Sequence, residues 1–574
     1  MKPLHRRIVQ RKIAEAREAK ALRKQEKAAQ AMLADGVRSQ SPAKTEDNKA
    51  WRSTEKARRG LARVIFSRGF LIAFLVLIQL LVSVIVFQIL PQYATWIQIL
   101  FRLAAAIVVI AIINEGGTDA HKVTWMIFIM FFPIAGVAFY FYFRFDIGAR
   151  KIGKRLDSIR VETASLLRQN ALVRREMNEK APQLTGLSYY LNRQVGFPTY
   201  MHTQTKYFPS GEEFFADLIP ELKKAEKYIF LEFFIVDYGF LWDRVLEVLQ
   251  EKAEQGVEVR LMYDGMCSLN KLPIYYWKQL NEMGIKCKVF NQLRPVVSSI
   301  QNNRDHRKIV VIDGLIAYTG GVNIADEYVN QRERFGFWKD AGIRLEGNAV
   351  RSFTVMFLQM WNVSETETEE MSPYLKPSRR PGFETEEVTG TENSFVIPYG
   401  DSPFDNEDVG RTVYLYLMQH AKKYVHIMTP YLILDKGMRR ALCQVAKCGV
   451  QLRIIMPHIP DKKYAYYLGR SYYKELLSAG VQIFEYTKGF VHAKTWSVDD
   501  IYSTVGSVNL DFRSLYWHFE CGTVVCDKQT TAAVEADFKK TLRDCKKISM
   551  VDAEKRSTAE KLLGAVLRVV APIL

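Results

Sequence analysis

A short motif that occurs twice limits the possible folds of this chain more than any other feature. The pattern His-x-Lys-x4-Asp spans residues 306–313 and recurs 186 residues later at residues 492–499. A chain of this length with average residue usage would contain the bare pattern roughly 0.03 times by chance. Each copy is followed by a turn of small residues that ends in an asparagine, Asn323 or Asn509, 17 residues after the histidine. The chain therefore contains an internal repeat built around a phosphate-handling site.

The segments around the two motifs alternate between apolar runs typical of buried strands and amphipathic runs typical of helices. In the first half, residues 228–236 predict a strand, residues 242–254 a helix and residues 257–264 a second strand. The second half repeats this order, with a strand at residues 424–434, a helix that ends near residue 447 and a strand at residues 449–457. This alternation predicts an α/β fold of two tandem repeats, with mixed, mainly parallel sheets flanked by helices in a pseudo-twofold arrangement.

Three apolar runs precede the repeats, at residues 70–90, 96–113 and 124–143. The first is long enough to cross a hydrocarbon core of about 30 Å, whereas the second is also compatible with a buried core helix. We expect two to three hydrophobic helices in a membrane. The segments before the first run and after the third are both basic, and the positive-inside rule places both in the cytoplasm. We therefore expect a multi-pass cell-membrane protein with two net crossings, one re-entrant or interfacial run, and a cytoplasm-facing large domain.

The net charge of +18 and the pI of about 9.3 favour an anionic partner, either nucleic acid or an anionic lipid surface. Much of this charge lies in residues 1–65, which predict a solvated tail, a polybasic segment on lipid headgroups, or both. The seven cysteines, an odd number without a CxxC pair, argue against a disulfide framework and a structural zinc site. We interpret them as ordinary thiols in a reducing compartment.

Composition and patterning divide the chain into seven predicted segments. They are a basic tail (1–65), a membrane region (66–145), a juxtamembrane linker (146–199), repeat 1 (200–364), a connector (365–394), repeat 2 (395–546) and a C-terminal amphipathic helix (547–574). For that last helix, packing against the domain and docking on a membrane surface are both open.

Strand periodicity predicts how the motif residues meet. Alternate residues project to one face of a strand, so His306 and Lys308 should point into one site while Arg307 points away. His492 and Lys494 follow the same rule. Two such strands facing each other would form one pocket with two histidines, two lysines and two asparagines. This donor set suits a phosphodiester, whose charge must be neutralised as phosphorus becomes pentacoordinate. Because the lysines and asparagines supply the positive field, we expect no metal and no other cofactor.

One histidine can attack phosphorus and form a phosphohistidine, while the other protonates the leaving alkoxide and later deprotonates the acceptor. Such histidines need carboxylates that fix their tautomer and orientation. Glu520, 28 residues after His492, is the candidate in the second half, and Asp340, 34 residues after His306, is its counterpart in the first. We expect the isolated histidines to be structural or surface residues: His202, His420, His426 and His458.

The aspartates Asp313 and Asp499 complete the catalytic motif. A hydrogen bond to the backbone is a better explanation for them than direct contact with substrate.

These residues resemble the phospholipase D superfamily, whose signature is a duplicated HxKxxxxD followed by GG or GS-x-N. The resemblance covers roughly residues 200–545 and rests on a highly specific paired motif. A Trp125…Pro133-x-x-Gly136…Tyr pattern, the segment GGVNIADEY at 320–328 and the closing Pro-Ile-Leu narrow it to bacterial cardiolipin synthases of the phospholipase D type. The long basic tail and an additional hydrophobic run depart from that pattern, which affects the topology rather than the chemistry.

The resemblance implies a phosphatidyltransferase that joins two phosphatidylglycerol molecules into cardiolipin and releases glycerol. Carried onto this chain, it implies that His306 and His492 are the nucleophile and the acid/base, with His306 the expected nucleophile. It further implies phosphate binding by Lys308, Lys494, Asn323 and Asn509, and orientation of the histidines by Asp340 and Glu520. The expected partners are anionic phospholipids and the membrane, not nucleic acid.

Other functions fit the same residues. Water in place of the alcohol would make the protein a membrane-bound phospholipase D-type hydrolase, and another alcohol would make it a different phosphatidyltransferase. A nuclease of the same superfamily fits less well, because much of the excess charge lies in the tail and the chain enters the membrane. A non-catalytic scaffold should show losses in one motif copy, and both copies are intact.

Overall fold

The computed structural model describes residues 68–89, 91–116, 119–144, 147–267, 271–273, 275–292, 303–376 and 394–573. The predictions for the basic tail, for most of the loop ahead of the first motif and for most of the connector lie outside these residues.

The N-terminal apolar runs form four helices. They are α1 (Arg68–Ile89), α2 (Ala94–Asn114), α3 (Asp119–Phe131) and α4 (Pro133–Arg144). Among the described residues, α2 is the one helix long and apolar enough to cross a membrane by length and composition. The expectation of two to three spanning helices is thus supported for one helix.

The third apolar run is broken rather than continuous. Proline lacks a backbone N–H and clashes with the preceding turn, so the chain bends between Phe131 and Pro133. The two short helices then pack closely, since a Cβ atom on Gly136 would lie 2.7 Å from Cα of Ile129.

Short helices lead from this region to the repeats. They are α5 (Ile147–Thr163), α6 (Ala171–Lys180) and α7 (Thr185–Tyr190).

The first repeat is a seven-stranded sheet flanked by helices. Its strands are β1 (Thr203–Phe208), β2 (Tyr228–Phe233), β3 (Glu258–Asp264), β4 (Lys286–Phe290), β5 (Lys308–Ile312), β6 (Ile316–Gly320) and β8 (Gly342–Gly347), and β7 (Phe337–Lys339) lies outside this sheet. Its helices are α8 (Gly211–Lys223), α9 (Phe240–Glu254), α10 (Tyr276–Glu282) and α11 (Val350–Trp361). The strand order is β1-β8-β6-β5-β2-β3-β4.

The second repeat is an eight-stranded sheet with the same plan. Its strands are β9 (Phe395–Asp401), β10 (Tyr424–Met428), β11 (Gln451–Pro457), β12 (Gln482–Tyr486), β14 (Thr495–Val498), β15 (Tyr502–Gly506), β16 (Glu520–Cys526) and β17 (Cys545–Lys547), and β13 (Gly489–Val491) pairs with β7 instead. Its helices are α12 (Val409–Gln419), α13 (Lys436–Lys447), α14 (Lys463–Ser478), α15 (Phe512–Tyr516), α16 (Lys528–Leu542), α17 (Met550–Glu554) and α18 (Thr558–Val570). The strand order is β17-β12-β11-β10-β14-β15-β16-β9.

The α/β fold with two tandem repeats is confirmed, but the prediction of mainly parallel sheets is wrong. Only β2-β3-β4 and β10-β11-β12 are joined in parallel, and the other pairings within the two large sheets are antiparallel. The tight turn after each motif strand accounts for one antiparallel pairing in each sheet, β5 with β6 and β14 with β15. Asp313 and Gly314 at one turn, and Asp499 and Asp500 at the other, have positive φ angles of 54° to 66°. A turn this short can join only antiparallel strands.

The two sheets pack on each other through one core. Strands β6 and β8 contact β15, and β6 also contacts β16. Buried residues of both repeats, such as Val311 and Ala317 of the first and Cys521 and Val524 of the second, belong to the same hydrophobic cluster. All seven cysteines lie in the described part of the chain and are free thiols. The packed sheets place the two motif segments side by side.

Candidate active site

Each motif is fixed by the backbone of the opposite repeat. His306 lies just before β5, and its N–H donates to the carbonyl of Phe519 at 2.9 Å. His492 lies just after β13, which pairs in parallel with β7, and its N–H donates to the carbonyl of Lys339 at 2.6 Å. Both histidines therefore lie ahead of the strands in which periodicity placed them, at the seam between the repeats.

The carboxylates beside the histidines are exchanged between the repeats. Nδ1 of His306 lies 2.9 and 3.0 Å from the two carboxylate oxygens of Glu520. Nδ1 of His492 lies 2.7 Å from Oδ2 of Asp340. From the sequence, each carboxylate is assigned to the same half as its histidine. The structure instead places each carboxylate against the histidine of the other half. Because an ionised carboxylate only accepts, Nδ1 of each ring carries the proton and Nε2 is unprotonated.

Small residues after each motif strand make room for these carboxylates. A Cβ atom on Gly321 would lie 2.1 Å from Oδ1 of Asp340, so that position requires glycine. At the corresponding position of the second repeat, the Ser507 hydroxyl donates to Oε2 of Glu520. The difference between Gly-Gly and Gly-Ser in the two turns therefore matches the difference between the two carboxylates.

Both motif lysines are buried next to their histidines. Nζ of Lys308 donates to the carbonyl oxygen of His306 at 2.5 Å. Nζ of Lys494 lies 2.8 Å from Nδ1 and 2.9 Å from Nε2 of His492. Arg307 points away, as periodicity predicts, and its Nε donates to Glu232 at 2.6 Å.

The crowded positive charges change the acid–base properties of the site. Burial, followed by the charges of Lys308 and Lys494, holds the pKa of His306 well below its ordinary value of 6.5. Burial, followed by the charge of Lys494, lowers the pKa of His492 to about 4, although Asp340 acts in the opposite direction. Burial also lowers the pKa of Lys494 to about 7 and that of Lys308 to about 8. Both free histidines are therefore neutral near pH 7, and the site is suited to an anionic ligand.

Aromatic rings enclose the two histidines. Phe234 meets His306 edge to face, with ring centroids 4.9 Å apart. Tyr328 and Trp338 lie 5.4 and 5.3 Å from the ring of His492. These aromatic contacts help to bury the two histidine rings.

His518 is a third histidine in the site, and sequence reasoning missed it. Its ring lies 5.5 Å from that of His306, and its Nδ1 is 3.8 Å from Oε1 of Glu520. Both ring nitrogens are buried without a hydrogen-bond partner among the described residues, and burial lowers the pKa to about 3. The signal that could have found it is the two-residue spacing from Glu520, which places both side chains on one face of an extended segment.

The two asparagines differ in their contacts. Oδ1 of Asn323 accepts from the N–H of Ile235 at 3.0 Å, and its Nδ2 donates to the hydroxyl of Tyr328 at 2.8 Å. Oδ1 of Asn509 is buried without a partner among the described residues.

The motif aspartates Asp313 and Asp499 bind backbone at the far ends of the motif strands. Asp313 follows β5, roughly 20 Å along the chain from His306 at the rise of an extended segment. Its carboxylate accepts from the backbone N–H groups of Glu226, Lys227 and Tyr228 at 2.8 to 3.0 Å. Asp499 accepts in the same way from three successive N–H groups at the start of β10: Lys422, Lys423 and Tyr424. Both carboxylates therefore bind backbone.

Three of the isolated histidines have contacts away from the motifs. His426 lies 3.0 Å from Glu535, His458 lies 2.7 Å from Glu485, and His420 stacks on Tyr416. His202 has a positive φ angle of 53° at the start of β1.

One group of side chains has the spacing of metal ligands, because ligand atoms of His306, His518 and Glu520 lie within 4.8 Å of one another. However, the two oxygens of Glu520 already contact the His306 ring and the Ser507 hydroxyl.

Comparisons with known proteins agree with this arrangement. A family described as "Cardiolipin synthase, PLD-like domain" matches residues 218–361 and 414–542, one match in each repeat. A second, "Phospholipase_D-nuclease N-terminal", matches residues 100–144. The phosphatidylserine synthase of Haemophilus influenzae has the same fold, with a TM-score of 0.50 at 17% identity over 66% of this chain and 95% of that one.

Curated relatives extend the match over most of the chain. An uncharacterized protein of Streptococcus mutans is 44% identical over 466 residues, which cover 81% of this chain and 99% of that protein. A cardiolipin synthase of Geobacillus sp. (strain WCH70) is 32% identical over 484 residues, 83% of this chain and 94% of that protein. A cardiolipin synthase of Geobacillus thermodenitrificans is 33% identical over 83% of this chain and 93% of that protein. With two motifs meeting in one site and this similarity over nearly the whole of its relatives, the chain belongs to the cardiolipin synthase family of phospholipase D-like proteins.

Proposed function

We propose that this protein is a cardiolipin synthase, which transfers the phosphatidyl group of one phosphatidylglycerol to the glycerol hydroxyl of another and releases glycerol. The observation that carries the proposal is the pair of buried histidines, each backed by a carboxylate of the opposite repeat and accompanied by a lysine. Relatives named cardiolipin synthase support the choice of lipid.

The reaction proceeds in two displacements at phosphorus. In the first, Nε2 of one neutral histidine attacks phosphorus. The bond from phosphorus to the glycerol oxygen breaks as the second histidine, which takes up a proton from solvent when the phosphodiester anion binds, donates that proton to the leaving oxygen. In the second, the now neutral second histidine takes the proton from the acceptor hydroxyl. The acceptor oxygen attacks phosphorus, and the phosphorus–nitrogen bond breaks.

His306 is the better candidate for the nucleophile. Burial, followed by the positive charges of Lys308, Lys494 and other cationic groups, lowers the pKa of His306 and keeps it a free base. His492 is the better acid/base, because Asp340 raises its proton affinity and a bound phosphodiester anion raises it further. This assignment gives the two chemically identical side chains different tasks.

The lysines are the proposed phosphate ligands, together with the asparagines. Lys308 and Lys494 lie within their own motifs and are buried, so their charges act in a water-poor environment where they are most effective. Asn509 has the same place in the second motif turn as Asn323 in the first, and its side-chain N–H group is the proposed donor to the phosphate. Asn323 has one amide N–H beyond the bond to Tyr328 with which to reach a phosphate oxygen.

Membrane attachment brings the enzyme and both lipid substrates together. We propose that the N-terminal region anchors the protein by two net crossings, with the repeats on the cytoplasmic side. The break at Pro133 supports a re-entrant third run, because α3 has 13 residues and α4 has 12. A helix of 13 residues is about 20 Å long, less than the hydrocarbon core of about 30 Å.

A reconstituted assay tests the proposed function. Purified protein is mixed with detergent–lipid micelles that contain phosphatidylglycerol as the sole phospholipid, and the products are identified by mass spectrometry. Cardiolipin with one glycerol per molecule is the expected product. Phosphatidic acid alone would instead mean that water is the acceptor and that the protein is a hydrolase.

In the same assay, His306→Ala and His492→Ala should each abolish turnover in folded protein. Lys308→Ala should reduce turnover severely, because an unneutralised phosphate charge raises the barrier by several kcal/mol.

A further inference from the structure

The C-terminal helix α18 is amphipathic, but its apolar face points away from the domain, whereas a helix packed on a core points its apolar face inward. Its exposed face is apolar, with Leu562 at 68%, Leu563 at 42%, Val566 at 54% and Val569 at 36% exposure. Its polar residues Glu560 and Arg568 are only partly exposed and lie toward the domain, as does the buried Gly564. A water-soluble domain would present the opposite arrangement.

Specific contacts fix this orientation. Nε of Arg568 donates to the hydroxyl of Ser471 in α14 at 2.8 Å, and the guanidinium lies 4.7 Å from the ring centroid of Tyr472. A Cβ atom on Gly564 would lie 3.1 Å from Cβ of Ser471, so the close approach of α18 to α14 depends on glycine. The helix also starts with a capping box, in which Ser557 and Glu560 bond each other's backbone N–H groups. The apolar face is therefore held outward.

The position of α18 indicates what covers this face. The Thr124 hydroxyl in α3 donates to the carbonyl of Val569 at 2.5 Å, so α18 ends against the hydrophobic N-terminal region. A second contact nearby joins His121 of α3 to Trp517, with ring centroids 5.4 Å apart. The exposed apolar face thus continues the surface of the segment that includes α2, the helix suited to crossing a membrane.

We propose that α18 lies in the membrane interface, with Leu562, Leu563, Val566 and Val569 inserted at the boundary between headgroups and acyl chains. The occupant is the bilayer itself. The exposed Lys561 within the helix and Lys555 just before it are suited to anionic headgroups, in keeping with the net charge of +18. The proposal concerns how the protein sits on lipid and holds whichever phosphatidyl acceptor the active site uses.

This contact also positions the active site relative to the lipid. The helix α14, on which α18 packs, starts at Lys463, next to Lys462. Trp517, which contacts His121 of α3, directly precedes His518 of the active site, so the hydrophobic region next to α18 also borders the active site. Docking of α18 therefore sets the height of the active-site rim above the bilayer.

Photocrosslinking tests the proposal without any requirement for activity. The full-length protein is placed in phosphatidylglycerol nanodiscs in which a fraction of the lipid carries a diazirine near the headgroup end of an acyl chain. After illumination, lipid adducts are located by mass spectrometry. We expect adducts on the four apolar positions of α18, and none on Ile501, a 40% exposed apolar residue in the turn between β14 and β15. Adducts on α2 without any on α18 would overturn the proposal.

A charge variant supplies the functional test. Leu562→Glu combined with Val566→Glu should lose most of its turnover in phosphatidylglycerol vesicles yet keep it in detergent micelles, where the interface adapts to the protein. Ile501→Glu is the matched control and should leave both activities unchanged. Equal activity of the double variant in vesicles and micelles would contradict the proposal, provided that its melting temperature equals that of the unchanged protein. If phosphatidylglycerol proves not to be the substrate, the crosslinking result still decides the matter.

Discussion

At the residue scale, two histidines with the same motif lie in different electrostatic surroundings. His306 is surrounded by cationic groups that lower its pKa, whereas Asp340 partly offsets them at His492. The tautomer of each ring depends on one carboxylate from the opposite repeat. Loss of an equivalent tautomer-fixing carboxylate in other enzymes reduces turnover by about 10⁴-fold.

A substrate with a good leaving group separates the two roles. Phosphatidyl p-nitrophenol needs no proton on the leaving oxygen, so His492→Ala should still release one p-nitrophenolate per enzyme and retain a phosphatidyl group on His306. Asp340→Asn, which keeps the size of the side chain but cannot hold the Nδ1 proton in the same way, should give the same burst with slow turnover. His306→Ala should give neither a burst nor an adduct. The reverse pattern, with the adduct on His492, would exchange the assigned roles.

At the scale of elements, the motif strand and its turn act as one unit. Asp313 binds three backbone N–H groups ahead of β2, and Asp499 does the same ahead of β10. Each aspartate thus ties the far end of its motif strand to the neighbouring strand. We infer that their place in the motif reflects the geometry of the sheet rather than chemistry on phosphorus.

Asp313→Ala tests this structural role. The change leaves buried N–H groups without an acceptor and places alanine at a φ angle of 54°, so we expect a loss of stability on the order of 3 kcal/mol. Asp313→Asn, which keeps one acceptor oxygen and tolerates positive φ, should lose less. The measurement is the melting temperature, alongside turnover per folded molecule at a temperature where both variants are folded. A variant of normal stability without activity would show that the aspartate has a chemical role.

Much of the fold could be predicted from the order of strands and helices, because burial imposes a visible periodicity. The direction of the strands after each motif was missed, since it depends on the turn at Asp313 and Gly314 and not on the periodicity of the strand. The site was predicted as a set of residues, including Glu520 and Asp340. Their exchange between repeats could not be predicted, because a repeated sequence is equally compatible with pairing within a half and pairing across halves.

At the scale of the whole molecule, the seam between the repeats contains several buried histidines that are uncharged near pH 7. Burial lowers the pKa of His492 to about 4 and that of His518 to about 3, from an ordinary value of 6.5. Below pH 6.5 the unfolded chain binds protons that the folded seam resists, so the free energy of unfolding falls as the pH decreases. The stability that these groups confer is fully present above about pH 6.5 and is lost progressively as the pH falls toward 4.

Thermal unfolding in detergent over a series of pH values measures this effect. We expect the melting temperature to fall from about pH 6.5 to about pH 4. The matched variant His518→Asn removes one of the groups that titrate only in the unfolded chain, so its melting temperature should fall less steeply. An equal slope in both proteins would mean that His518 is accessible to protons in the folded state.

The exchange of Glu520 and Asp340 also limits how the duplicated halves can diverge. The carboxylate of each repeat contacts the histidine of the other, so a mutation of the carboxylate in one repeat affects the histidine of the other repeat. Loss of Glu520 therefore removes a partner of His306, and loss of Asp340 removes a partner of His492. After a duplication, one copy is usually free to accumulate mutations. Here each repeat depends on a carboxylate of the other, so both are constrained together. A symmetric dimer of one-repeat chains would have to associate before its carboxylates could be exchanged in this way. The single polypeptide keeps the two halves together by its covalent connection.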